Sequence, residues 1–344
     1  MTKNYLAINF GLITLLSLIA INDAQACAAC GETLSKDWGT QGIGTHPGFS
    51  ADLSYSYVNQ NQQRLGTGTA SPASISARNV LLQEIEDYTT TRTTMASLNY
   101  SSDDWGVNTQ LPFVQRTHGT FGNGGNWPTA ASYSSSSDSS IGDVRVIGRY
   151  TGFSADKTAG IIAGLKLPSG SANANFNAGA AAGTALDRSL QIGTGSTDLI
   201  LGGFFTGTVA EYGWFAQGTV QHAIATKTIA GLDYRPGDAY SLNTGIRYAK
   251  FGSQFTPMLQ LNFIHRQPDT PDTGANAGAT PPDALTGGPA TGGTLVYLAP
   301  GASVRIGGGT SVYGFIQLPI YQNVNSLQLS ARYTLTIGVK QSFE

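Results

Sequence analysis

Cys27 and Cys30 are the two cysteines of a 344-residue sequence, spaced Cys-Ala-Ala-Cys. That spacing suits a local disulfide, a redox pair or part of a metal site. A c-type haem needs histidine directly after the second cysteine, and Gly31 stands there instead. Structural zinc wants four ligands, and His46 is the one other ligand type nearby. In an oxidising compartment the pair reads first as a Cys27–Cys30 disulfide, with acylation of Cys27 and metal or redox use as the alternatives. His118, His222 and His265 are scattered, and none has a Ser or Asp spaced to form a nucleophile and base on one face. No HExxH, GxSxG, phosphate-loop or calcium-loop pattern occurs. The sequence reads as non-enzymatic, with no catalytic residue, no metal and no cofactor.

The remaining chemistry is charge. Arg116, Arg145, Arg149, Lys166, Arg247, Arg266, Arg305, Arg332 and Lys340 fall on the polar face of alternating segments, and Asp52 and Asp198 are the chief acids of the same parity. Most other carboxylates, Glu84, Glu86, Asp269 and Asp283 among them, fall in the loops and turns between those segments. If the polar faces line one lumen, it is net basic and favours anions. The alternative is an internal ion-pair lattice that fills a small barrel.

The elements that place these side chains are strands. In FSADLSYSY, Phe49, Ala51, Leu53, Tyr55 and Tyr57 share one face, and Ser50, Asp52, Ser54 and Ser56 the other. The same period returns near 87–101, 104–117, 141–154, 157–168, 195–208, 211–226, 238–250, 253–266, 292–306 and 309–320, and in ARYTLTIGVKQSF at 331–343. Long polar links (61–86, 118–140, 169–194, 267–291) and medium ones (227–237, 321–329) alternate with tight turns. Length asymmetry of that kind, with about twelve strands, predicts an all-β, transmembrane, antiparallel up-and-down β-barrel. A secreted β-sandwich shares the alternation but does not require the alternating loop lengths. Trp105, Val107, Leu111, Phe113, Ile161, Leu165, Leu167, Trp214, Phe255, Leu259, Leu261, Phe263, Ile316 and Leu318 are assigned to lipid, and Tyr313 and Phe315 to the interior. The small, polar stretches 132–140, 170–185 and 268–293 are expected to be mobile surface loops.

Residues 1–26 have the charged start, apolar run and Ala-Gln-Ala exit of a signal peptide. Residues 27–48 then form a periplasmic N-terminal segment carrying the CxxC, and 49–344 the barrel, with both termini periplasmic in a Gram-negative outer membrane. Charged residues are 12% and the formal net charge is -2, which gives no pull towards nucleic acid. The partners implied are the lipid bilayer, the barrel-assembly machinery and a small-molecule solute, with a periplasmic protein as a further candidate. Function reads as an outer-membrane channel or transporter for small solutes, with anionic and aromatic or hydrophobic compounds as the candidate classes. The alternative is a closed structural or partner-binding barrel, an accessory to metal handling or electron transfer.

The run IGDVRVIGRYTGFSADKTAGIIAGLKLPSG (141–170), followed by IGTGSTDLILGG (192–203), resembles the outer-membrane family named for the MetA pathway of phenol degradation. The resemblance rests on Gly142-Asp143 with Gly148, on Leu167-Pro168-Ser169-Gly170 and on Gly193-Thr194-Gly195-Ser196, and Leu111-Pro112-Phe113 and YVNQNQQR (57–64) fit it. It spans about 49 to 343 and implies a porin-like transporter loosely linked to hydrophobic or aromatic substrates. One departure is the C-terminus, where the aromatic Phe343 is followed by Glu344.

Overall fold

A computed structural model describes Leu34, Trp38, Gln41 and residues 47–81, 83–229, 233–250, 254–270 and 282–343. Residues 1–26, Cys27 and Cys30 lie outside the described residues. The elements are β1 (Gly48–Gly66), β2 (Gly68–Thr69), α1 (Pro72–Val80), β3 (Ile85–Ser101), β4 (Trp105–Phe121), β5 (Tyr133–Ile141), β6 (Arg145–Tyr150), β7 (Ala159–Lys166), β8 (Ala178–Gly179), β9 (Ser196–Val209), β10 (Tyr212–Thr226), β11 (Ala239–Tyr248), β12 (Phe255–Arg266), β13 (Gly293–Gly307) and β14 (Thr310–Ser342).

The sheet is a closed antiparallel barrel, because β1 pairs with β3 on one side and with β14 on the other. Eleven assigned strands make the ring. The last of them has 33 residues and doubles back. Its first arm, to Val324, pairs with β13 and its second arm pairs with β1. Ser326, at φ 57°, turns the chain between the arms, and the Ser342 amide donates to Gly309 O at their far ends. The wall is therefore crossed twelve times, as the alternation predicts.

Alternation sets the two faces. Leu53, Trp105, Leu111, Phe113, Ile161, Leu165, Leu261 and Ile337 are exposed outside, while Ser54, Ser56, Asn108, Gln260, Asn262, Gln317 and Thr336 are buried within. Aromatic rings gather at the short-turn end. Phe49 and Trp105 flank Tyr100 with ring centres 4.9 and 5.1 Å away, and Tyr212 stacks near Tyr248 at 4.9 Å. Amphipathic rings of that kind settle at the edge of the hydrocarbon.

At the other end β1 has 19 residues and β3 and β4 have 17 each, against the roughly 9–11 that cross a bilayer. Their surplus makes a wall that carries a folded cap. Three stretches read as mobile are structured there. Tyr133–Ile141 is β5, paired with the outer half of β4. The stretch 170–185 belongs to a link with its own core of Phe176, Ala181, Leu186 and Leu190. The described part of 268–293 packs on α1, whose Arg78 donates to Asp283 at 2.7 Å. Glu84, Glu86, Asp269 and Asp283, read as loop and turn acids, are all buried. His118 is fully buried and shares a 2.9 Å hydrogen bond with Thr89.

Candidate functional site

The inward faces converge on one lumen, and the described part of the N-terminal segment enters it. Leu34 and Trp38 cluster with Met258, Ala299, Tyr313 and Phe315. The Trp38 ring meets Tyr313 edge-on at 4.7 Å, and its Nε1 donates to Asp52 Oδ2 at 3.3 Å. Tyr313 donates its hydroxyl to the other Asp52 oxygen at 2.9 Å. Further in, Arg247 donates to the Gln41 carbonyl at 2.6 Å. The 27–48 segment was expected below the barrel; these three residues of it lie inside, because the aromatic patch at Tyr313 and Phe315 needs an apolar partner.

Two cavities open at the short-turn end, of about 680 Å³ and 560 Å³. The larger is lined by Trp38, Phe49, Met258 and Tyr313 together with Arg247, Arg305 and Lys340. The smaller adds Arg149, Asp103, Asp104, Asp156, Lys157 and Phe204, and Arg247 lines both. Arg149 and Arg247 lie flat against the wall because each faces a glycine across the strand pair, Gly106 and Gly213. A Cβ on either glycine would stand 2.5 Å from the guanidinium carbon. Arg149 also donates to Asn99 Oδ1 at 2.9 Å and to Ser101. Above these cavities the middle is filled. Gln260 and Asn262 are 2% and 0% exposed, and their amide groups find no protein partner.

The other basic residues are placed differently. Lys166 is buried between Asp198 at 2.9 Å and Asp143 at 3.3 Å, and Arg145 faces it across the strand pair. Arg266 contacts Asp269 at 3.3 Å. Arg116 donates to the carbonyls of Leu190 and Gln191 at 2.7 and 3.0 Å, drawing the capping link into the mouth at the long-loop end. Arg332 was assigned to the lumen by alternation. It is exposed instead, at a bulge between the pairs Val58–Thr334 and Gln60–Ala331, which breaks the period. The lumen therefore has a basic mouth at the short-turn end, an ion-paired wall at Lys166 and a cap at the long-loop end. Among the described residues no three of His, Cys, Asp and Glu converge on a point.

Asp143 ties the three glycine-rich pieces together. Its carboxylate accepts from the Gly170 amide at 3.0 Å, the Thr194 amide at 3.0 Å and the Thr194 hydroxyl at 2.6 Å. Ser169 bridges Val144 N and Gly142 O at 2.9 Å each. Gly170 and Gly193 touch so closely that a Cβ on Gly193 would sit 2.2 Å from Gly170 O. The knot closes the break where β5 leaves β4 to β6. Nothing in composition announced Trp38, Gln41 or the amide belt as lumen residues; Asp143 was marked only as part of a motif.

No protein-family model matches the sequence, and no curated protein is similar to it. Solved structures are. An outer membrane channel from Pseudomonas putida F1 superposes with a TM-score of 0.62 at 11% identity, over 91% of this chain and 100% of that one. The fold is that of an outer-membrane β-barrel. The β domain of the Bordetella autotransporter BrkA reaches 0.45 at 12% identity over 86% and 99% of the two chains. The Ralstonia pickettii toluene transporter TbuX reaches 0.43 at 11% over 93% and 97%. These two overlay too loosely to bear on more than general barrel form.

Proposed function

We propose that the protein is an outer-membrane channel for small anionic or aromatic solutes, captured here with its lumen shut. The observation that carries this is the pair of cavities at the short-turn end, where Arg149, Arg247, Arg305 and Lys340 share the lining with Trp38, Phe49, Met258 and Tyr313. Cations beside rings suit a solute with an apolar body and a negative group. The resemblance to the phenol-degradation family points the same way. In this reading the short-turn end and both termini face the periplasm, residues 1–26 are a removed signal peptide, and the Trp38 segment is the inner gate.

The filled middle at Gln260 and Asn262 favours a second reading, a closed barrel that serves as a scaffold. Planar-bilayer recording of the refolded chain, with reversal potential taken across a salt gradient, separates the two. A channel gives discrete steps with an anion-side reversal, and the Arg149→Gln, Arg247→Gln double variant moves that reversal towards the cation side. Silence from verified, inserted barrels, including barrels deleted through residue 46, means the scaffold.

A further inference from the structure

A second polar centre lies away from the lumen cavities, at the long-loop end. Gln63 of β1, Glu84 and Glu86 at the start of β3, and Leu327, Gln328 and Leu329 of the last hairpin enclose a void of about 10 Å³. Glu86 is 5% exposed and Gln328 2% exposed. Neither carboxylate oxygen of Glu86 has a hydrogen-bond partner; the Leu329 amide is directed at it without reaching hydrogen-bond geometry. The two amides are held in one orientation. Gln63 Nε2 donates to Glu86 O at 2.6 Å, and Gln328 Nε2 donates to Gly292 O at 2.9 Å and to Asn325 O. Each amide oxygen is thereby left buried and unpartnered. The nearest cation in sequence, Arg64, is occupied elsewhere, donating to Thr67 O at 2.6 Å.

Burying the Glu86 carboxylate next to Glu84, which repels it, and beside amide oxygens that also carry negative charge is costly unless a cation joins them. The void has room for one ion or water. Two carboxylates with neutral amide oxygens are a calcium type of ligand set, since calcium takes flexible arrays of carboxylate and amide oxygens, whereas magnesium holds on to its waters. We propose that Glu84, Glu86, Gln63 and Gln328 bind one calcium ion, which clamps the chain returning from α1 against the last hairpin.

The test is calorimetric titration of CaCl2 into the refolded full-length chain in detergent after chelator treatment, with thermal unfolding alongside. One ion binds per barrel, magnesium binds at least tenfold more weakly, and the unfolding midpoint rises with calcium. Glu86→Gln abolishes both effects, and Gln328→Leu, which leaves the acids in place, weakens binding at least tenfold. Should Glu86→Gln fail to fold, Gln328→Leu carries the test. Absence of calcium binding and of any midpoint change in the wild-type barrel overturns the proposal, as Glu86 is then held as a neutral acid. Calcium binding unchanged in Glu86→Gln or in Gln328→Leu overturns it equally.

Discussion

Trp38→Ala is the change that bears most directly on gating. The indole is 8% exposed, packs on Tyr313, Met258 and Phe315, and donates to Asp52. Truncating a buried Trp to Ala costs about 3–5 kcal/mol. None of that falls on the barrel ladder, because Trp38 precedes β1; it falls on docking of the segment. At about 1.4 kcal/mol per tenfold, the docked-to-released ratio drops by roughly 10²- to 4 × 10³-fold. In planar bilayers the variant should spend far more time conducting than the wild type, while its thermal unfolding midpoint barely moves. Trp38→Phe keeps the ring and loses the Asp52 hydrogen bond, so it should fall between. Equal mean conductance and equal closing statistics in wild type and Trp38→Ala, from the same number of inserted barrels, would refute the segment as a gate.

Other expectations follow from the same geometry. Gly213→Val should push the Arg247 guanidinium off the wall into the pore and detach it from Gln41, so that the channel opens more often but each open step is smaller, with folding retained on a heat-modifiability gel. Asp143→Asn leaves Lys166 with one carboxylate and weakens the bonds from Gly170 and Thr194, costing about 2 kcal/mol in urea unfolding; Ser139→Ala on β5 is the neutral control. Arg78→Met strands the buried Asp283 and should cost about 3 kcal/mol, read as faster proteolysis of the outer cap. Burial alone would raise the Asp283 carboxyl, but hydrogen bonds from Arg78, Ser326 and Thr286 and the Arg78 charge outweigh it and hold the carboxyl at about 2. The unfolded group titrates near 3.9, so this stabilisation is complete above about pH 4 and disappears as pH falls through 2. The gap between wild type and Asp283→Asn in cap protection should close over that interval.

Strand positions were legible because lipid and lumen impose a strict period of two on every pass, as the contrast of Leu261 outside with Asn262 inside illustrates. The period fails where one of those solvents is missing. Tyr133–Ile141 lies on the outer part of the wall, where serine serves both faces, so β5 read as a loop. The last outer link read as nine residues, yet both arms continue past the bilayer to a tight turn at Ser326, since their inward residues pack on the cap rather than on lipid. Arg332 was lost to a bulge, which shifts parity without changing composition. Buried loop acids such as Asp283 could not be foreseen, because their partner, Arg78, is 205 positions away.

The pairing of β1 with β14 sets Ser50 against Ser342, nearly the whole chain apart. A ladder between such distant pieces cannot start until everything between them exists, so the barrel is a zip whose first tooth meets its last. Until that moment the growing sheet has two raw margins, each able to recruit a foreign strand. Three register shifts, after Val58, Gln60 and Leu65, interrupt this seam, and two interrupt the one between β13 and β14, so the last strand to dock meets an irregular edge on both sides.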